Sequence, residues 1–152
     1  IADGETSMGA ALKMTKDMIE DKTFTPSRAY RPTIVLVSDG YPNDDWQAPL
    51  NDFINSDRSS KCDRMAMAIG KEADKKVLEK FIEGTDHSLF FSDDADKISD
   101  FFKYVTMSVT TRSRSQNPNQ VPNDKDIAAK SENTKTKPKS QINENKGDEF
   151  DW

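Results

Sequence analysis

Thr33-Ile-Val-Leu-Val-Ser38 is an unbroken run of β-branched and apolar residues that stops at Asp39-Gly40. A strand with one wet face alternates apolar and polar residues. A run without alternation therefore predicts a strand covered on both faces, as in parallel sheets layered between helices. The flanking segments keep to that plan. Met8, Ala11, Leu12, Thr15, Met18 and Ile19 recur at helical spacing, with Thr6 or Ser7 placed as N-cap. Trp46, Leu50, Phe53 and Ile54 form one stripe of a second helix, with Asp44 or Asp45 as its cap and Pro49 distorting its first turn. Arg64 to Ile69 reads as the next strand, ended by Gly70. Ala73, Val77, Leu78, Phe81 and Ile82 then mark a helix closed by Gly84. Leu89-Phe90-Phe91 is a short strand. Asp93 or Asp94 caps a last helix carrying Ile98, Phe101, Phe102, Val105 and Val109. Helix and strand alternate throughout, which predicts an α/β fold: a Rossmann-like parallel sheet with crossover helices.

Composition limits how much of the chain joins that fold. Hydrophobic residues make up 34% against 32% charged, so part of the 152-residue chain is expected to stay outside the core. The change comes near Gln116. From there to Trp152 the apolar residues are Val121, Ile127, Ala128, Ala129, Ile142, Phe150 and Trp152, too few to offset the entropy of ordering. The expected organisation is an α/β domain over residues 1–115 and a disordered polar tail over 116–152. At the tail's end Asp148-Glu149-Phe150-Asp151-Trp152 sets two aromatics among acids. Phe150 and Trp152 are candidate partner-binding residues in a short linear motif; the alternative is a solvated terminus. The net charge of −5 offers no electrostatic attraction to nucleic acid or an anionic membrane, and neither is an expected partner. No apolar run approaches the roughly 18 residues of a membrane span. A single cysteine, Cys62, cannot form an internal disulfide, and a cytoplasmic location is expected. The start at Ile1 suggests a processed or incomplete chain.

In open parallel α/β sheets, ligands bind beyond the carboxyl ends of the strands. Asp39 stands at such an end, and Gly40 lets the backbone turn so that the carboxylate faces the crevice. Carboxylate and hydroxyl oxygens, with open positions for water or ligand, suit a hard cation such as Mg²⁺. By itself Ser38-Asp39-Gly40 also reads as an ordinary turn. The first segment adds to it. Gly4-Glu5-Thr6-Ser7-Met8-Gly9-Ala10-Ala11-Leu12 resembles the threonine loop of von Willebrand factor A (vWA) domains, Gly-x-Thr-x-[Leu/Met]-Gly-x-Ala-Leu. Asp39 follows 33 residues after Thr6, and Ser38 to Trp46 resembles the Asp-Gly-x-Pro-x-Asp-x-Trp stretch of bacterial vWA proteins. Phe90 to Ala95 and Phe101-Phe102 are similar to the last strand and helix of the TerY-like group associated with tellurium resistance and stress. The resemblance spans about residues 1–113.

That resemblance implies a divalent-cation-dependent protein-binding module with a metal-ion-dependent adhesion site (MIDAS). Thr6 matches its threonine ligand and Asp39 its aspartate, with Mg²⁺ or Mn²⁺ as the cation. It also implies intracellular signalling or stress functions, tellurite resistance among them, with a kinase or protein phosphatase of the same operon type as partner. One departure stands out. The family's Asp-x-Ser-x-Ser ligand set, at the end of its first strand, is absent from this sequence. With the family's strand order 3-2-1-4-5-6, the chain holds only strands 4, 5 and 6. Thr33–Ser38 is then expected as an open edge, and a complete cation site needs residues from elsewhere. The competing expectations are a Mg²⁺-dependent phosphohydrolase using Asp39 with Asp44 or Asp45, and an inactive remnant of a vWA domain. The motifs of the main hydrolase classes are missing, so a non-enzymatic reading is preferred. His87 is expected as a solvated loop residue, Cys62 as structural, and Asp44 and Asp45 as a helix cap or holders of a second cation.

Overall fold

The computed structural model describes residues 5–118, and the element order is the expected alternation. Helix α1 spans Met8–Glu20, strand β1 Thr33–Ser38, helix α2 Gln47–Asn55, and a single 3₁₀ turn Ser59–Lys61. Strand β2 spans Asp63–Ile69, helix α3 Lys75–Ile82, strand β3 Phe90–Ser92 and helix α4 Ala95–Ser113. The three strands are parallel in the order β1-β2-β3. Val35 registers with Met65 and Met67 with Phe90, so the carboxyl ends line up along one rim. Apart from residues 116–118, the polar tail and its Phe150 and Trp152 lie outside the described residues.

The sheet sorts its side chains by alternation. On one face Ala66 and Ala68 of β2 meet Leu12 and Ile19 of α1, Leu50 and Phe53 of α2, and Val77, Leu78 and Phe81 of α3. The two alanines leave room for three helices to approach. On the other face Met65 and Met67 pack with Phe101, and Val35, Phe90, Ile98, Tyr104 and Val105 close the cluster under α4. Leu50, Phe53, Val77, Leu78 and Phe81 are fully buried. Each such side chain contributes about 1.5–3 kcal/mol by leaving water.

Thr33–Ser38 is covered on both faces, by Ile34 and Leu36 in the first cluster and Val35 in the second, but less completely than its apolar run predicts. Five of its six residues are partly or wholly exposed, and β2 holds the central place, buried at every position but its last. Among the described residues no strand pairs with the outer edge of β1, as expected for an open edge. Gly84 ends α3 in left-handed backbone (φ +81°), which costs a side-chain-bearing residue strain.

Candidate functional site

The rim at the carboxyl ends of the strands begins with Ser38. Its hydroxyl donates to the Gly40 carbonyl (3.2 Å) and accepts from the Gly40 N–H (3.5 Å), closing the turn around Asp39. The same device recurs at β3, where Ser92 Oγ donates to Asp94 O (2.7 Å) and accepts from Asp94 N (3.0 Å). Gly40 does not adopt left-handed backbone, so the turn rests on the serine hydroxyl and not on the conformational freedom expected of glycine. Asp39 is thereby presented to solvent at the head of β1. Two further bonds join the rim: Asp74 N donates to Gly40 O (3.4 Å) and Gly70 N to Ser92 O (2.7 Å).

Thr6 reaches this turn from a distant part of the chain. A methyl group at Gly40 would stand 3.6 Å from Thr6 Oγ1, which puts the threonine hydroxyl against the Asp39-Gly40 turn. Thr6 does not cap α1, and neither does Ser7, whose side chain makes no capping bond. Asp44 takes that place. Its Oδ1 accepts from Gly9 N and its Oδ2 from Ala10 N, both at 3.0 Å. The Gly9 N–H above all, joined by Ala10 and opposed by partial burial, holds the Asp44 carboxyl below its usual range.

Asp44 is therefore not the cap of α2, whose N-cap position is Trp46 in helical backbone without a side-chain bond. Each of its oxygens already accepts one backbone N–H. Pro49 sits in the first turn of α2, where its missing N–H removes no intrahelical bond, and the helix runs through it from Gln47.

Thr6 and Asp39 are brought to one place, and neither side chain makes a hydrogen bond or ion pair among the described residues. Hydroxyl and carboxylate are oxygen donors of the type that a hard cation takes. No group of three or more His, Cys, Asp or Glu gathers as a metal-binding cluster among the described residues. Asp45 is exposed beside the same loop. Tyr41, 62% exposed, and Phe91, 41% exposed with Lys75 Nζ 4.2 Å from its ring centroid, supply apolar surface on the same rim.

His87 is not the solvated loop residue expected from sequence. Its side chain is fully buried at the opposite, amino-terminal end of the sheet, with Nε2 2.7 Å from Asp63 Oδ1 and Nδ1 3.2 Å from the Tyr104 hydroxyl. The other Asp63 oxygen accepts from Thr33 Oγ1 (3.2 Å) and Arg112 Nη1 (3.4 Å), and Arg112 also donates to the Arg31 carbonyl. Two more buried arginines close helix ends. Arg58 donates to Ile19 O and Thr25 O, and Arg64 to Phe81 O and Glu83 O. Cys62 is buried and structural, as expected; burial, against the pull of Arg64, Arg31 and Arg58, pushes its thiol up to about 12.

No helix among the described residues is long and apolar enough to cross a membrane. No curated protein and no solved structure matches the chain. A family model does, over residues 1–104, which include the threonine loop, the Asp39 turn and all three strands. The chain belongs to the von Willebrand factor type A domain family, whose members are generally metal-dependent protein-interaction modules.

Proposed function

We propose that this chain is a divalent-cation-dependent protein-binding module in which Thr6 and Asp39 hold the cation as part of a MIDAS-type site. The observation that carries the reading is the seating of the Thr6 hydroxyl against the Asp39-Gly40 turn, at the carboxyl end of a parallel strand. The cation is Mg²⁺ or Mn²⁺. The Asp39 carboxylate supplies charge and the Thr6 hydroxyl a neutral oxygen; the remaining positions go to water and to a carboxylate of the partner. Partner and cation then bind cooperatively, because each completes a shell the other needs. Tyr41 and Phe91 give the partner apolar contact around that centre. The TerY-like resemblance extends the reading to a cytoplasmic signalling or stress-response setting, including tellurite resistance, with an operon-linked kinase or protein phosphatase as partner. Binding is preferred over phosphoester hydrolysis because the members of the matched family are generally metal-dependent protein-interaction modules.

Mn²⁺ titration of the 152-residue chain by electron paramagnetic resonance tests the assignment. Asp39→Ala and Thr6→Ala are each expected to weaken Mn²⁺ binding by about tenfold or more, at least the effect of losing an outer-shell group. Capture of the operon-linked kinase or phosphatase is expected in Mn²⁺ and lost in EDTA. Mn²⁺ affinity unmoved by Asp39→Ala would sink the proposal.

A further inference from the structure

The loop that carries Asp39 is bolted to the helix that follows Thr6, and one side chain makes most of the bolt. Asp44 spans 35 and 34 residues of sequence to accept from Gly9 N and Ala10 N, using one carboxylate oxygen for each. Beside it, Asn43 N donates to the Thr6 carbonyl at 3.2 Å, and that same carbonyl accepts from Met8 N at 2.9 Å. The two segments lie so close that a methyl group at Gly9 would collide with the Asp45 carbonyl. Without Asp44 the first N–H groups of α1 would lack a side-chain acceptor, since Ser7 makes no capping bond.

We propose that Asp44 is the positioning residue of this site: its two-pronged bond to the start of α1 holds the Thr6 hydroxyl against the Asp39-Gly40 turn. Gly9 is the second half of the device, because the absence of a side chain there lets the loop close. Asp44 touches neither the cation nor the partner. It acts through Thr6, and this functional consequence rests on the cation-binding reading above.

The test is nuclear magnetic resonance on the 152-residue chain, reading the contact between the Thr6 methyl group and the Gly40 α-protons. That cross-peak is expected in the wild type, lost in Asp44→Ala and in Gly9→Ala, and weakened in Asp44→Asn, which keeps one acceptor oxygen. The Met65 and Met67 methyl signals report that the sheet stays folded in each variant. Should Asp44→Ala unfold, Asp44→Asn and Gly9→Ala carry the same comparison. A Thr6–Gly40 contact that persists in the folded variants overturns the proposal. On the functional side, Asp44→Ala is expected to weaken Mn²⁺ binding about tenfold, in the range of outer-shell losses. A lost contact with unchanged Mn²⁺ affinity, in a protein whose affinity does respond to Asp39→Ala, also overturns it. Mn²⁺ affinity that ignores Asp39→Ala rejects the cation reading instead, and the cross-peak still decides whether Asp44 positions Thr6.

Discussion

Asp63 is the acceptor on which the amino-terminal end of the sheet converges. Its side chain is 1% exposed, and it takes bonds from the loop before β3 through His87, from β1 through Thr33 and from α4 through Arg112. Asp63→Ala strips a buried guanidinium and a buried imidazole of their shared partner. Removing one member of a buried ion pair costs about 3–5 kcal/mol, since the charge left behind keeps its desolvation penalty. Against a total of roughly 5–15 kcal/mol for a domain, that is a large fraction. Arg112→Ala is milder, because Asp63 keeps His87 and Thr33; losing a hydrogen bond to a charged group costs about 1.5–3 kcal/mol. Urea unfolding followed by circular dichroism gives both values. The double variant is the decisive one. Once Asp63 is gone, removing Arg112 also removes the orphaned charge, so Asp63→Ala/Arg112→Ala should cost clearly less than the two singles together. Strict additivity, or a cost below about 1 kcal/mol for Asp63→Ala, would refute a charged network that holds α4 to the sheet.

The remaining predictions concern two titrating groups. Asp44 has its carboxyl held below the ordinary value of 3.8 by Gly9 and Ala10, so the stability it adds is complete above that value and is lost as pH falls through the lowered one. The Gly9 and Ala10 amide signals should stay in place down to pH 4 and move only in stronger acid; movement centred near pH 5 would contradict this. Cys62, whose thiol is pushed up to about 12 chiefly by burial, stays protonated at neutral pH. Iodoacetamide at pH 8 should leave the folded protein unmodified and alkylate it in urea, and rapid alkylation of the native chain would be the contrary result.

Element type and order were open to sequence reasoning because each segment announces itself locally. Helix α3 has its stripe at Val77, Leu78, Phe81 and Ile82, the Asp74 carboxylate accepting from Lys76 N at its start, and Gly84 past its end. Asp94 likewise accepts from Lys97 N and caps α4 as one of the two expected candidates. What local signals do not contain is lateral position. Thr33–Ser38 is more uniformly apolar than Asp63–Ile69, yet it lies at the edge and β2 at the centre. β2 opens with Asp63 and Arg64, which disguises a strand buried at all but its last position, because the partners that let those charges enter the core lie on α4, α3 and distant loops. The buried stripe of α4 is narrower than its apolar residues predict. Phe101 is buried, but Phe102 is 50% and Val109 41% exposed, since a single helix on that face of a three-stranded sheet buries one narrow seam.

The candidate site divides along the same line. Thr6 and Asp39 each sit in a short motif whose residue types and spacing could be read directly, and the structure brings both to one turn. Asp44 stands in the same motif, where it and Asp45 are equally placed in sequence to cap the helix that follows. Sequence proximity favours α2; geometry favours α1. Trp46, at the α2 N-cap position, already has helical backbone and offers no side-chain acceptor, while α1 lacks a cap of its own. The unsatisfied N–H groups of a helix are filled by whatever acceptor the tertiary fold places there, and here that acceptor lies 34 and 35 residues away. His87 shows the same effect in the core, its partner Asp63 being 24 residues distant. A polar residue in a loop reads as solvated only while its partners are unknown. The two carboxylates of the Asp39-to-Asp44 loop therefore differ in bonding for a reason no local pattern shows: Asp44 is held by α1, and Asp39 makes no hydrogen bond or ion pair among the described residues.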